Sequence, residues 1–231
     1  MKICIITAVW KRPEVFKIFA ESIKSLEGDI VVCVAGSEGE KSRKMVEGYG
    51  FNYVEADNSP LNKKLNQASI LSSDTDADYY LIMGSDDIIN QPLLDKYITL
   101  AKKGIDHVYL IDCYFYDTAT SSTYYWAGYK GKRGVQRALG AGRLLSRRLM
   151  EKNNWRCWNA RRSLDRGMDA ALNSRMRLKD LYSMGVRLKG TDMAIMDIKS
   201  EVNITPMRVI ESSKTHDIFH LFDENVVKWI E

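Results

Sequence analysis

Apolar positions in the first hundred residues alternate between unbroken runs and helically spaced stripes. Lys2 to Ala8 is a β-branched run that reads as a buried strand, and Pro13 then opens a segment with Val15, Phe16, Ile18, Phe19, Ile23 and Leu26 at helical spacing. Asp29 to Ala35 repeats the strand and ends in Gly36-Ser37-Glu38-Gly39-Glu40. Lys41 to Tyr49 repeats the helix, and Phe51 to Glu55 adds a short strand. Asn58-Ser59-Pro60 is a turn, Leu61 to Ser72 carries Leu61, Leu65, Ala68 and Leu71 on one helical face, and Tyr79 to Met83 is another buried strand. A helix from Pro92 to Lys103 closes this half. Strands alternating with helices predict a mostly parallel α/β sheet covered on both faces.

The pattern changes after residue 104. His107 to Tyr116 and Thr123 to Tyr129 alternate like an antiparallel hairpin joined by the polar turn Asp117 to Ser122. Gly142 to Lys152 reads as a helix, Leu164 to Met184 as a longer one and Ala194 to Lys199 as a late strand, with the tail from His216 folding over the site. No repeat or low-complexity linker interrupts the chain. The expectation is one domain over residues 1–231, with a first half (1–104) and a mixed α+β second half (105–231).

Composition adds two constraints. The 231 residues are 45% hydrophobic, enough for a full core, and the formal charge is only +4. Yet twelve Lys or Arg against two acids lie in the basic segment 130–166, interleaved with Trp155 and Trp158. Basic residues among aromatics are the footprint of a surface for phosphates and stacked rings, while Arg147, Arg148 and Lys152 also fit the solvated face of a helix. The four cysteines are far apart and form no C-x-x-C pair, which suits buried thiols in a reducing, cytoplasmic setting. The apolar run Ile3 to Val9 is too short for a membrane span.

The candidate chemistry begins at Tyr79-Tyr80-Leu81-Ile82-Met83-Gly84-Ser85-Asp86-Asp87, a buried strand that ends in two adjacent carboxylates. A strand delivering Asp-Asp at its C-terminal tip puts hard oxygen ligands where open α/β sheets bind ligands, a place for a divalent cation carrying a diphosphate. The competing reading makes Asp86 and Asp87 caps of the helix that begins near Gln91-Pro92. Asp165 and Asp169, four apart, would share one helical face.

Five stretches together resemble the GT-A glycosyltransferases of the inverting family 2 type, particularly small phage and bacterial members. They are Thr7-Ala8-Val9-Trp10-Lys11-Arg12-Pro13, Pro60 to Ala68, Gly84-Ser85-Asp86-Asp87, Gly140-Ala141-Gly142-Arg143 and Leu164-Asp165-Arg166-Gly167-Met168-Asp169. The resemblance implies a metal-dependent transfer of a hexosyl or pentosyl group from a nucleotide sugar, with UDP the favoured carrier, to an acceptor hydroxyl, with inversion. By that match Thr7, Ala8 and Arg12 line the nucleotide. Glu38 reads the base edge, although Ala35-Gly36 stands where the family carries paired acids. Lys64 and Asn66 face the donor from a helix start.

Ser85-Asp86-Asp87 takes the place of the D-x-D signature, with Asp87 on Mn²⁺ or Mg²⁺ and Asp86 on the ribose or a metal-bound water. One of Asp165 and Asp169 is the general base; the family's motif matches Asp165 best, with Asp169 as its helper or the reverse. His216 is a candidate third metal ligand from the tail, and its spacing to His220 also fits ordinary packing on one helical face. The acceptor is a phosphorylated glycan or nucleic acid, including hydroxymethylated DNA bases reached through the basic segment. Two other functions compete. A sugar nucleotidyltransferase shares the sheet but needs a Gly-rich phosphate loop, and Thr7 to Pro13 has no Gly. A non-enzymatic basic nucleic-acid-binding module would use the Asp pair only as a cap and bind DNA in a salt-sensitive way.

Overall fold

The computed structural model describes residues 1–129, 138–159, 163–164, 167–177, 181–200 and 212–230. The first half alternates strand and helix: β1 (Lys2–Ala8), α1 (Pro13–Lys24), β2 (Asp29–Gly36), α2 (Glu40–Gly48), β3 (Asn52–Glu55), α3 (Leu61–Leu71) and β4 (Tyr79–Ile82). A three-residue strand, β5 (Asp87–Ile89), follows, and then α4 (Gln91–Lys102). The second half contributes β6 (His107–Leu110), β7 (Cys113–Asp117), β8 (Ser122–Trp126), β9 (Arg143–Ser146), α5 (Arg147–Lys152), α6 (Met168–Met176), β10 (Ser183–Val186), β11 (Ile195–Lys199), β12 (Ser213–Lys214) and a last short helix, α7 (Glu224–Val227).

Two sheets result. The larger has seven strands in the order β10-β6-β9-β4-β1-β2-β3, and all neighbours are parallel except β9, which runs antiparallel to β4 and β6. The smaller has five, β12-β8-β7-β11-β5. Residues 3 to 8 of β1 are all buried, as a central strand covered on both faces requires. α1 turns Val15, Phe16, Phe19 and Ile23 inward, where Phe16, Phe19 and Phe51 pack their rings edge to face or tilted within 6.5 Å. The main apolar core runs from Ile3 to Ile230 and joins both halves, while a second cluster around Cys4, Tyr80, Leu145 and Trp158 covers the other face.

The chain winds from β1 outward to β2 and β3, then returns to the other side of β1 as β4. The point where the direction reverses lies between β1 and β4, and a crevice opens at their C-terminal tips. Loops from both tips are stitched together there: the Met83 amide donates to the Ile6 carbonyl at 3.2 Å, and the Ser85 hydroxyl to the Ala8 carbonyl at 2.7 Å. Immediately after this junction the chain leaves the first sheet and enters the second as β5.

Three expectations for the second half are corrected. The run 107–116 is not one arm of a hairpin. It breaks at Ile111 and Asp112 into β6 of the large sheet and β7 of the small one, and only β7 pairs with β8. Residues 143–146 are a strand rather than a helix, because β9 fills the gap between β4 and β6 and its four residues are all buried. The helix expected to reach Met184 ends at Met176, and Met184 lies on β10. The tail packs α7 against α1, with the Lys17 ammonium 3.4 Å from the Trp229 ring centroid. Among the described residues no helix is long and apolar enough to cross a membrane, and the four cysteines are free and buried.

Candidate active site

The two-carboxylate tip is not a helix cap. Asn90 caps α4, its side chain accepting from the Leu93 amide at 3.3 Å and from the Ala194 amide at 2.9 Å. Asp86 and Asp87 instead sit at the passage between the sheets. There the antiparallel register of β5 on β11 places Asp197 directly opposite Asp87. One ligand atom from each of Asp86, Asp87 and Asp197 lies within 4.8 Å of the others.

Like charges directly opposite across strands destabilise a sheet, and burial makes the repulsion worse. Asp87 is only 3% exposed, and its carboxyl is held well above the usual range by burial first and then by Asp197 and Asp86. Burial and Asp86 push Asp197 up to about 7, against the pull of Lys199. Partners cover part of the charge: the Gly84 amide donates to Asp87 Oδ2 at 2.6 Å, Arg12 pairs with Asp86 at 2.7 Å and Lys199 with Asp197 Oδ2 at 2.6 Å. Asp197 Oδ1 is buried with no hydrogen-bond partner. Three hard oxygen donors with one of them unsatisfied fit a divalent cation such as Mn²⁺ or Mg²⁺.

A cavity of about 270 Å³ opens on this group, lined by Ala8 and Arg12 from the first loop and by Asp86, Asp87, Asp169 and Asp197. Asp169 occupies the first turn of α6, where Tyr129 donates to its Oδ2 at 3.0 Å and Arg143 approaches Oδ1 at 3.7 Å. Arg143 is fully buried and also binds Asn173 at 2.6 Å, so the group that steers Asp169 is itself fixed. Two glycines make room for the acids. A methyl group on Gly84 would meet Asp86 Oδ1, and one on Gly140 would meet Asp169 Oδ1, each at 2.4 Å.

Of the residues singled out from the sequence, Ala8, Arg12, Asp86, Asp87 and Asp169 come together around this cavity. Others are occupied elsewhere. Thr7 is fully buried in β1, and Ser85 spends its hydroxyl on Ala8. Glu38 accepts from the Lys11 amide at 2.7 Å and so braces the first loop. Lys64 is 2% exposed and donates to the Val9 carbonyl at 2.7 Å and to Asn58 at 3.1 Å, its pKa lowered to about 8 by burial and the nearby Arg12 charge. Asn66 clamps Trp158 through both backbone groups, at 2.9 and 3.1 Å. Neither Lys64 nor Asn66 faces the cavity as expected, because the helix turns both toward loops that need their hydrogen bonds.

His216 is exposed in a different cleft beside Ser122, Lys214 and Phe219, and the third carboxylate of the acidic group is Asp197 instead. Asp165 lies outside the described residues, as does much of the basic segment. In the described part of that segment Arg143 is buried, Arg147 pairs with Glu151 and Arg148 with Asp106. Trp158 is buried as well, and Trp155 packs edge-on against Tyr80 at 5.0 Å. No stacking platform for bases is formed among these residues. Sequence reading missed Asp197, Lys199 and Tyr129. A usable signal existed for the first two: Asp197 and Lys199 are charged residues two apart, on one face of an otherwise apolar strand.

No protein-family model matches the sequence, and the sequence matches no curated protein. The fold is similar to S. aureus TarS 1-349 in complex with UDP, with a TM-score of 0.60 and 16% identity over 87% of this chain and 61% of that one. A second structure of S. aureus TarS 1-349 gives 0.57 and 15%, covering 86% and 60%. CMP:2-keto-3-deoxy-manno-octonic acid synthetase complexed with CTP gives 0.50 and 11%, covering 81% and 89%. The chain thus spans about 61% of the TarS chain it matches best among these. The likeness shows the fold alone, a mixed α/β architecture with a mostly parallel central sheet flanked by helices.

Proposed function

We propose that the chain is a metal-dependent inverting glycosyltransferase of the GT-A family 2 type, moving a sugar from a nucleotide donor, with UDP favoured, to an acceptor hydroxyl. The observation that carries this reading is the group of buried Asp87 with half-buried Asp86 and Asp197, set at the reversal point of the sheet and open to the cavity that Asp169 shares. Asp87 and Asp197, with Asp86, would hold Mn²⁺ or Mg²⁺, which supplies charge neutralisation for a departing nucleoside diphosphate.

The protein's own groups divide the remaining work. Arg12, already within 2.7 Å of Asp86, brings a fixed positive charge to the diphosphate side of the cavity. Lys64 and Glu38 hold the loop that carries Arg12, through Val9 and Lys11. Asp169 accepts the proton of the attacking hydroxyl, and Tyr129 and Arg143 orient it for a single displacement that inverts the anomeric centre. The buried free thiols suit a reducing, cytoplasmic setting. UDP is favoured by the TarS likeness; the CTP-bound synthetase likeness favours nucleotidyl transfer as a second reading, which would release pyrophosphate from a nucleoside triphosphate.

Thermal shift with UDP, GDP, CMP and TDP, with and without Mn²⁺, on the parent and Asp87→Ala decides between them and tests the whole. Stabilisation by one nucleoside diphosphate that needs both Mn²⁺ and Asp87 is the expected result. Indifference to every nucleotide rejects the reading, and pyrophosphate release from CTP with a sugar acid replaces it with the second.

A further inference from the structure

A larger cavity, about 860 Å³, shares Asp87, Asp169, Asp197 and Lys199 with the smaller one. That volume is in the range of small-molecule sites. Its other wall is aromatic and comes from the β7–β8 hairpin and the residues just after it: Phe115, Tyr125, Trp126 and Tyr129.

This wall is built before any ligand arrives. Phe115 packs against Trp126 with centroids 6.0 Å apart, and Tyr129 meets the same indole edge-on at 4.9 Å. Tyr129 is tied in turn to Asp169. The Tyr125 hydroxyl donates at 2.9 Å to Asp112, a fully buried carboxylate that also accepts from the Leu188 and Lys189 amides at 2.7 and 3.1 Å. Half-buried Trp126 is therefore a fixed ring rather than a mobile one, and fixing it beforehand lowers the entropy lost on binding.

A cleft with π-faces on one side and carboxylate oxygens on the other matches a molecule with an apolar C–H face and a rim of hydroxyl donors. We infer that this cleft is the acceptor subsite and takes an uncharged pyranose, its C–H face on Trp126 and one hydroxyl at Asp169. The inference rests on the glycosyltransferase reading and narrows its acceptor. A polyanion is the poorer match, because the Asp169 carboxylate faces this space and, among the described residues, Lys199 is bound to Asp197 and the Lys189 ammonium lies 4.6 Å from the Tyr125 ring.

Saturation-transfer NMR on the full chain tests this with methyl β-glucopyranoside, methyl α-mannopyranoside, methyl N-acetyl-β-glucosaminide and a short oligothymidylate. At least one glycoside should show saturated ring protons, reduced about fivefold in Trp126→Ala and retained in Trp126→Phe. UDP binding with Mn²⁺ should be unchanged in both variants. No glycoside signal, a signal indifferent to Trp126→Ala, or a signal from oligothymidylate alone overturns the inference. Should Trp126→Ala not fold, the 5-fluorotryptophan resonance that Trp126→Phe removes must shift as glycoside is added, and a still resonance overturns it equally. Loss of UDP binding in the parent counts against the wider reading; loss of glycoside binding with UDP binding intact counts only against this one.

Discussion

β2 and β9 are both buried strands of the same large sheet, but they reached it differently. β2 follows β1 by a single helix and lies parallel beside it, as do β3 on β2 and β4 on β1. β9 comes from the second half and inserts antiparallel between β4 and β6. The strands after residue 105 are shared between two sheets, and β5 of the first half is carried into the smaller sheet by β11. The first half supplies a scaffold and two of the acids. The second half supplies Asp197, Asp169 and the aromatic wall, so the site exists only where the two are joined.

Removing one acid from each half tests their joint contribution most directly. Asp87→Ala and Asp197→Ala should each cost several kcal/mol of transition-state stabilisation, about a thousandfold in kcat/KM, once an acceptor is in hand. If Asp197→Ala keeps Mn²⁺-dependent nucleotide binding, the second half adds nothing to the cation site. Next in size, Leu144→Ala on β9 should lower urea stability by about 2–5 kcal/mol in one cooperative transition. Two separate transitions would show that the halves fold independently and are not one domain.

A pH experiment probes the junction more gently. Because Asp197 is raised from 3.8 to about 7, the metal-free folded state keeps a proton that the unfolded chain has already released. Metal-free stability should therefore fall as pH climbs from about 4 to about 7, and Asp197→Asn should flatten that part of a Tm-against-pH curve. A slope unchanged by the substitution would mean that neither burial nor the neighbouring Asp86 raises Asp197 in the folded chain. Asn66→Ala, which unclamps Trp158, should cost about 1–3 kcal/mol in urea unfolding. Lys41→Ala should change the same measurement by less than about 0.5 kcal/mol, since its 3.7 Å pair with Glu38 leaves the lysine 72% exposed.

Legibility in the sequence divides along the same line. The boundaries of β1, α1, β2 and α3 follow the apolar rhythm within a residue or so, because each strand and helix there is covered by near neighbours in the chain. Arg143 to Ser146 misled the same reasoning: Leu144 and Leu145 suit a helix face as well as a strand covered on both sides, and only the vacancy between β4 and β6 chooses. In the site, Asp86 and Asp87 stood out because two acids end a buried strand. Thr7, Ser85, Lys64 and Asn66 had the right residue types, but Thr7 is fully buried in β1 with its hydroxyl unpartnered, and the other three spend hydrogen bonds on the backbone of distant loops.

Taken by itself, the sequence determined the parallel βα framework and the acidic tip at its centre, since both follow from residues close together in the chain. The tertiary structure alone decided that Asp197 faces Asp87 and that Tyr129 and Arg143 hold Asp169, because strand register across two sheets is fixed by which edges are left to pair. Local periodicity carries no information about that choice.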